Sequence, residues 1–162
     1  MSISVKLKEY LDDRGVAYKH RVHPAAYTSQ EIAAAAHIPG KELAKTVIVK
    51  ADGQLVMAVL PAKYTIDFEA LQKEIESKTL RLATEEEFRN SFPTCDVGAM
   101  PPFGNIFGVP VYCDTALEED DEIEFNAGSH QDTIRIKFAD FKRLVNPRLI
   151  NFAWQRTRRL AG

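Results

Sequence analysis

Three places in the 162-residue sequence carry residue types whose spacing can do chemistry. Lys45 stands between Ala44 and the apolar run Val47 to Val49, at the start of an expected buried strand. A lysine there either snorkels outward or meets an anion, and an ordinary strand-edge lysine gives the same pattern. The run Gly98-Ala99-Met100-Pro101-Pro102-Phe103-Gly104 brackets two prolines with two glycines. Proline fixes φ at the centre of such a loop, and glycine leaves its ends free and its backbone bare. That makes a wall for a small ligand, or a connection whose prolines merely prevent strand pairing. His130 follows Gly128-Ser129 at the expected start of another strand, where it reaches a pocket or only solvent.

Chemistries with sharper signatures are missing. His20 and His23 are three apart on an expected strand, which turns them to opposite faces and makes a poor chelate. His37 lies near an expected helix end, and no HExxH or Cys/His cluster exists, so a zinc site is not expected. Cys95 and Cys113 form no CxxC pair and fit a reducing compartment. As a nucleophile either would need a histidine from afar, and burial is the commoner fate of such a thiol. No GxSxG elbow or Walker-type phosphate loop is present.

The elements that must position these residues read off in order. Leu7, Tyr10 and Leu11 follow Ser2 or Ser4 as caps and precede Gly15, a helix. Val16, Tyr18, His20 and Val22 alternate as a strand that ends at His23-Pro24. Thr28 with Glu31 is a capping-box pattern for a helix over Ser29 to His37. Lys45 to Ala51 and Leu55 to Leu60 flank Asp52-Gly53, a type I′ hairpin whose nearly all-apolar second strand belongs in mid-sheet. Asp67 caps a helix with Phe68, Leu71 and Ile75 as its buried stripe; Leu80 to Ala83 is a short strand, and Thr84 with Glu87 opens another helix. Val109 to Cys113, Ile123 to Ala127 and Thr133 to Phe138 read as strands, the last with Ile134, Ile136 and Phe138 inward and Thr133, Arg135 and Lys137 outward. A short helix covers Phe141 to Val145, and the segment with Leu149, Ile150, Phe152 and Trp154 reads as a docked amphipathic helix. Helices and strands do not alternate as in a Rossmann sheet, so the expected class is α/β of the α+β type: a mixed, curved, barrel-like sheet with helices around it.

Length and 45% hydrophobic content favour one domain over residues 1–162, with a basic C-terminal tail from about 147 to 162 carrying Arg148, Arg156, Arg158 and Arg159. The N-terminus has no apolar signal region and no stretch is long and apolar enough to span a membrane, so a soluble, cytoplasmic protein is expected. Net charge is −2, which excludes a globally basic DNA-binding signature. Glu118, Glu119, Asp120, Asp121, Glu122 and Glu124 concentrate six acids in one segment, so the remainder can still present a local basic surface.

Taken together, these pieces resemble the YbaK/prolyl-tRNA synthetase-associated editing-domain family, which hydrolyses amino acids wrongly attached to tRNA. The residues that carry the likeness are His23-Pro24 with Thr28 and Glu31, Lys45-Thr46-Val47-Ile48-Val49, Pro61, Arg81-Leu82-Ala83, the Gly98 to Gly104 loop, and Ala127-Gly128-Ser129-His130 leading into Thr133-Ile134-Arg135-Ile136. The likeness covers about residues 15 to 146 and stops before the arginine-rich tail. It implies a metal-independent, cofactor-free deacylase acting on the acceptor end of misacylated tRNA, for a small amino acid and on tRNA-Pro or a similar tRNA. Lys45 carries over as the residue needed for activity. His130 is a second catalytic residue in this reading; His23, Thr28, Gly98, Ala99, Met100, Pro101, Pro102, Gly104, Gly128 and Ser129 line the substrate. Loop N–H groups such as those of Gly98 and Ala99 would hold the ester, and the neighbouring ribose hydroxyl would serve as the base. A synthetase is a further partner the likeness allows. The competing expectation is a non-catalytic module of the same fold that binds a nucleotide, an aminoacyl ligand or a protein.

Overall fold

A computed structural model describes residues 5–23, 42–93 and 95–154. Helix α1 (Val5–Asp13) buries Leu7 and Leu11 completely and ends where Gly15 takes φ +65° and Val16 N–H reaches back to Leu11 C=O. The hydroxyl of Tyr10 donates to Leu144 C=O and ties this helix to the far end of the chain. The expected caps Ser2 and Ser4, the helix over 29–37 and the arginines at 156, 158 and 159 lie outside the described residues.

Strands β1 (Lys19–Val22), β2 (Ala44–Ala51), β3 (Gln54–Pro61) and β4 (Thr65–Ile66) follow, then α2 (Phe68–Ile75), β5 (Leu80–Leu82) and α3 (Glu85–Phe88). The chain continues through β6 (Val111–Asp114), β7 (Glu122–Asn126), β8 (Asp132–Lys137), α4 (Phe138–Val145), β9 (Arg148–Ile150) and β10 (Ala153–Trp154). The expected hairpin is present: Asp52 (φ 49°) and Gly53 (φ 82°) both take positive φ between β2 and β3. One sheet runs β5-β2-β3-β6-β9, with β3, β6 and β9 parallel and the remaining pairs antiparallel. A second sheet runs β1-β8-β7, and β10 pairs with β4. The nearly all-apolar β3 sits in mid-sheet, between β2 and β6.

A single parallel bridge, Leu43 with Glu124, joins the two larger sheets and bends them round one core. That core takes Ile48 and Met57 from the first sheet, Ile123, Phe125, Ile134 and Ile136 from the second, and Phe103 and Phe141 between them. A smaller cluster forms on the other face of the first sheet, where Val49, Ala58 and Leu60 meet Leu71 of α2, Tyr64 and Phe152. The mixed, curved α/β architecture read from the pattern is therefore present.

Four details differ from the sequence reading, each for a physical reason. β1 begins at Lys19, because Val16 is taken up by the turn that closes α1. Phe68 is partly exposed, and Leu71 alone in α2 is fully buried. The outward face of β8 is not solvated at its start: Thr133 is buried and its hydroxyl donates to the buried carboxylate of Glu124. The C-terminal segment forms β9 and β10 instead of an amphipathic helix. The buried Asp114 carboxylate accepts the N–H groups of Phe152 and Ala153 at 2.8 and 2.6 Å, which fixes that segment as extended chain.

The capping box of α3 is complete: Thr84 Oγ1 accepts from Glu87 N–H, and the Glu87 carboxylate accepts from Thr84 N–H. Arg81 pairs with Glu87 through two 2.8 Å bonds and Lys50 through one of 2.7 Å. The Arg81 bonds first, then the Lys50 bond and the Thr84 N–H, hold the Glu87 carboxyl well below the ordinary carboxylate range. A depressed folded-state value adds stability above the unfolded value, about 4.3, and loses it as pH falls towards the folded one. Glu87→Gln is therefore expected to lower the melting temperature near neutral pH, with the gap to wild type narrowing as melts are taken from about pH 4 downwards.

Candidate active site

Two backbone segments are laced together at one end of the second sheet. Asp96 N–H donates to Gly128 C=O at 2.8 Å, and Gly128 N–H donates to Ala99 C=O at 2.9 Å. These bonds lock the start of the glycine-proline loop against the turn between β7 and β8. Gly98 (φ 86°) and Gly128 (φ 104°) both lie where side chains are disfavoured. The His130 ring completes the contact: its Nε2 donates to Val97 C=O at 3.0 Å, and its Cε1 would lie 3.5 Å from a Cβ at Gly98. Because a carbonyl only accepts, this bond places a proton on Nε2.

The turn itself is braced from behind. Ser129 Oγ accepts the N–H groups of Gln131 and Asp132 and donates to Asp132 Oδ2. Asp132 Oδ1 in turn holds His20 Nε2 of β1, and His23 N–H donates to Gln131 C=O at 2.9 Å. Ser129, Asp132 and His23 are all buried. His20 thus braces the turn through Asp132, a residue outside the sequence-based candidates although a serine three residues before an aspartate is a turn signal.

The rest of the loop is less a lining than a plug. Met100 and Phe103 are buried in the main core, and Ala99, Pro101, Pro102 and Gly104 are buried as well. The Ala99 N–H is already spent on Asp96 C=O at 3.0 Å, so of the two amides expected to hold an ester only that of Gly98 is without an acceptor among the described residues. Thr28 lies outside the described residues.

Lys45 reaches the same end of the fold by another route. Glu124 N–H donates to Glu42 C=O at 3.0 Å beside the Leu43–Glu124 bridge. Arg135 adds its guanidinium to the carboxylates of Glu42, Glu122 and Glu124. Burial opposes the charge of Arg135, and the hydrogen bonds it donates to Glu42 and Glu122 outweigh it, so its proton is held more firmly than usual. This network pins the chain just ahead of Lys45. Lys45 itself is half-buried opposite Leu60, and burial pushes its ammonium below lysine's ordinary pKa. Among the described residues no carboxylate pairs with it, and no hydrogen bond joins it to the Gly98–Gly104 loop or to His130.

Other candidates drop away. Burial, then the nearby Asp114 and Glu118 charges, push the Cys113 thiol far above its ordinary range, which makes it a poor nucleophile. A surface pocket of about 370 Å³ is lined by Glu42, Glu119, Asp120, Asp121, Glu122 and Arg135, five carboxylates against one guanidinium, the wrong sign for a phosphate chain. Among the described residues no helix is long and apolar enough to cross a membrane.

A mixed, curved α/β domain with a half-buried lysine on β2 and a glycine-braced turn after β7 is the class this fold and site define. Comparison with known proteins gives the family. The profile described as "Aminoacyl-tRNA editing domain" matches residues 23–144. Over 114 residues, 67% of this chain and 68% of the relative, the sequence is 34% identical to the "Multifunctional Ser/Thr-tRNA deacylase ProXp-y" of Escherichia coli strain K12. The chain belongs to the aminoacyl-tRNA editing domain family. Among solved structures it is similar to a proposed trans-editing enzyme for prolyl-tRNA synthetase, with TM-score 0.81 and 21% identity over 94% of this chain and 97% of that one. A hypothetical protein matches with TM-score 0.82 and 18% identity over 92% and 99%. At these identities the structural likeness is one of fold.

Proposed function

We propose that this single-domain protein is a freestanding deacylase that hydrolyses the ester of misacylated tRNA, working on the acceptor end and without a metal. The observation that carries the reading is the half-buried Lys45, held on a pinned strand with no carboxylate partner among the described residues. An unpaired cation in a partly desolvated place is suited to a developing oxyanion or a terminal phosphate. Membership of the editing family supplies the ester, and the relative's name supports a small hydroxylated amino acid among the substrates. The tRNA would be tRNA-Pro or one similar to it.

In the proposed mechanism Lys45 stabilises the charge on the carbonyl oxygen or the 3′ phosphate. The N–H of Gly98, without an acceptor among the described residues, holds the polar end of the ester. His130, whose Nε2 proton is committed to Val97, keeps the Gly98 turn in place and can orient water only through its other nitrogen. None of these residues is a ready general base, so the ribose hydroxyl next to the ester activates the water. A wall of laced backbone cannot widen for a larger side chain, and selection is therefore by size.

Gly98→Ala tests the wall. Its Cβ would meet the His130 ring at 3.5 Å and take a left-handed φ, a local strain of about 1–2 kcal/mol. Deacylation is expected to fall about tenfold or more while the protein still melts cooperatively; unchanged activity would remove the loop from the site. The function itself is tested with tRNAs charged with serine, threonine, alanine, leucine or phenylalanine. The protein should release the small residues at least about tenfold faster than they are lost spontaneously and leave the bulky ones at the spontaneous rate. Equal release of all, or release of none, would overturn the proposal.

A further inference from the structure

The ladder between β2 and β7 stops after the single bridge of Leu43 with Glu124. Two residues further along each chain, in the same direction, stand Lys45 and Asn126. Paired residues of parallel strands share a face, and side chains two apart share it too, so Lys45 and Asn126 lie on the same face of adjoining strands. Asn126 is also in register with Thr133, whose hydroxyl marks this face by its bond to Glu124. Asn126 is the last residue of β7, two before Gly128 of the braced turn.

The amide oxygen Oδ1 of Asn126 is buried and accepts no hydrogen bond among the described residues. A buried acceptor without a donor is costly and uncommon, and here it lies on the face of a half-buried cation that has no carboxylate among the described residues. One ligand that carries a partial negative charge and a hydrogen-bond donor within a few ångströms of each other would satisfy both groups. An aminoacyl ester is such a ligand, since its carbonyl oxygen and its α-ammonium are separated by only two carbons.

We propose that Asn126 is a substrate-binding residue whose Oδ1 accepts a hydrogen bond from the α-ammonium of the aminoacyl group, while Lys45 faces the carbonyl side of the same ester. This rests on the deacylase reading for the identity of the substrate. It goes beyond that reading in assigning what tells an aminoacyl ester from any other acyl ester. The ammonium cannot sit next to Lys45, so Asn126 also fixes which way round the ester binds.

The test compares seryl-tRNA with 3-hydroxypropionyl-tRNA, the same ester without the ammonium, each rate divided by its spontaneous hydrolysis. Wild type should prefer the seryl ester at least about tenfold, the factor expected of a charge-assisted hydrogen bond. Asn126→Ala should bring the preference to within about threefold by slowing the seryl ester alone, and Asn126→Asp, which keeps an acceptor, should retain the preference. Loss of rate on both esters in equal proportion, or an unchanged preference in Asn126→Ala, would overturn the assignment. Binding of the non-hydrolysable 3′-amide analogues of both compounds separates this from the deacylase reading. Seryl-selective binding that depends on Asn126, without hydrolysis of the ester, would sink the deacylase and leave the ammonium contact standing. Binding that does not distinguish the two analogues would sink the contact.

Discussion

Gly104→Ala is expected to lower stability by about 3 kcal/mol, which for a chain of this size is a fall of about 6–12 °C in Tm. Among the described residues Gly104 is the one glycine for which space alone, and not φ, is the constraint. A Cβ there would lie 2.4 Å from Val109 C=O and 2.6 Å from Val111 Cγ2, closer than such atoms approach in folded proteins. Backbone cannot step aside as a flexible side chain can, because Gly104 C=O accepts the N–H groups of both Phe107 and Val109. The displacement would pass into β6 and to Phe103, a fully buried ring that meets Tyr10 and Phe141 edge-on and Phe125 at a tilt. Gly53→Ala is the control, since nothing lies within 4 Å of its Cβ and only the positive φ opposes it, at about 1–2 kcal/mol. Thermal melts of the two variants should therefore differ; equal melting temperatures would show that the close approach at Gly104 is relieved at little cost.

Lys45→Ala should have the largest effect on activity, a loss of about 10²–10³-fold in deacylation. The same variant is expected to melt within a few degrees of wild type, because no ion pair is broken among the described residues and a desolvated charge is removed. Lys45→Arg should recover little, since a planar fork is not a point charge. The depressed ammonium pKa carries a sign of its own. Lys45 loses its proton at a lower pH than an ordinary lysine, so the enzymatic rate, corrected for spontaneous ester loss, should decline with rising pH on a limb below the usual lysine range. Stability lost in step with activity would make Lys45 structural instead.

Most of the architecture was legible because local rules settle it. Asp52-Gly53 requires positive φ twice, Thr84 with Glu87 closes its own capping box, and the apolar run of β3 belongs between two strands; all three follow from residues within a few positions of one another. The failures involve partners far apart in the chain. The segment after Pro147 looked amphipathic at helical spacing, yet the buried Asp114, some 38 residues earlier, draws the Phe152 and Ala153 N–H groups into extended chain. Thr133 and Arg135 alternate with apolar residues as a solvated face should, and no local pattern reveals that Glu124, Glu122 and Glu42 cover that face. The candidate site divides in the same way. Lys45 and the two glycine-bearing segments were visible as residue types. The brace of Ser129, Asp132 and His20 and the placing of Asn126 beside the lysine strand depend on strand register, which only the folded chain displays.

The most direct measurement is the release of serine from seryl-tRNA under single-turnover conditions, with protein in excess and binding followed in parallel. The account predicts a first-order release that rises with protein concentration, saturates as binding does, and returns to the spontaneous rate in Lys45→Ala. Saturable binding by wild type with serine released only at the spontaneous rate would contradict it and leave a binding module in place of an enzyme.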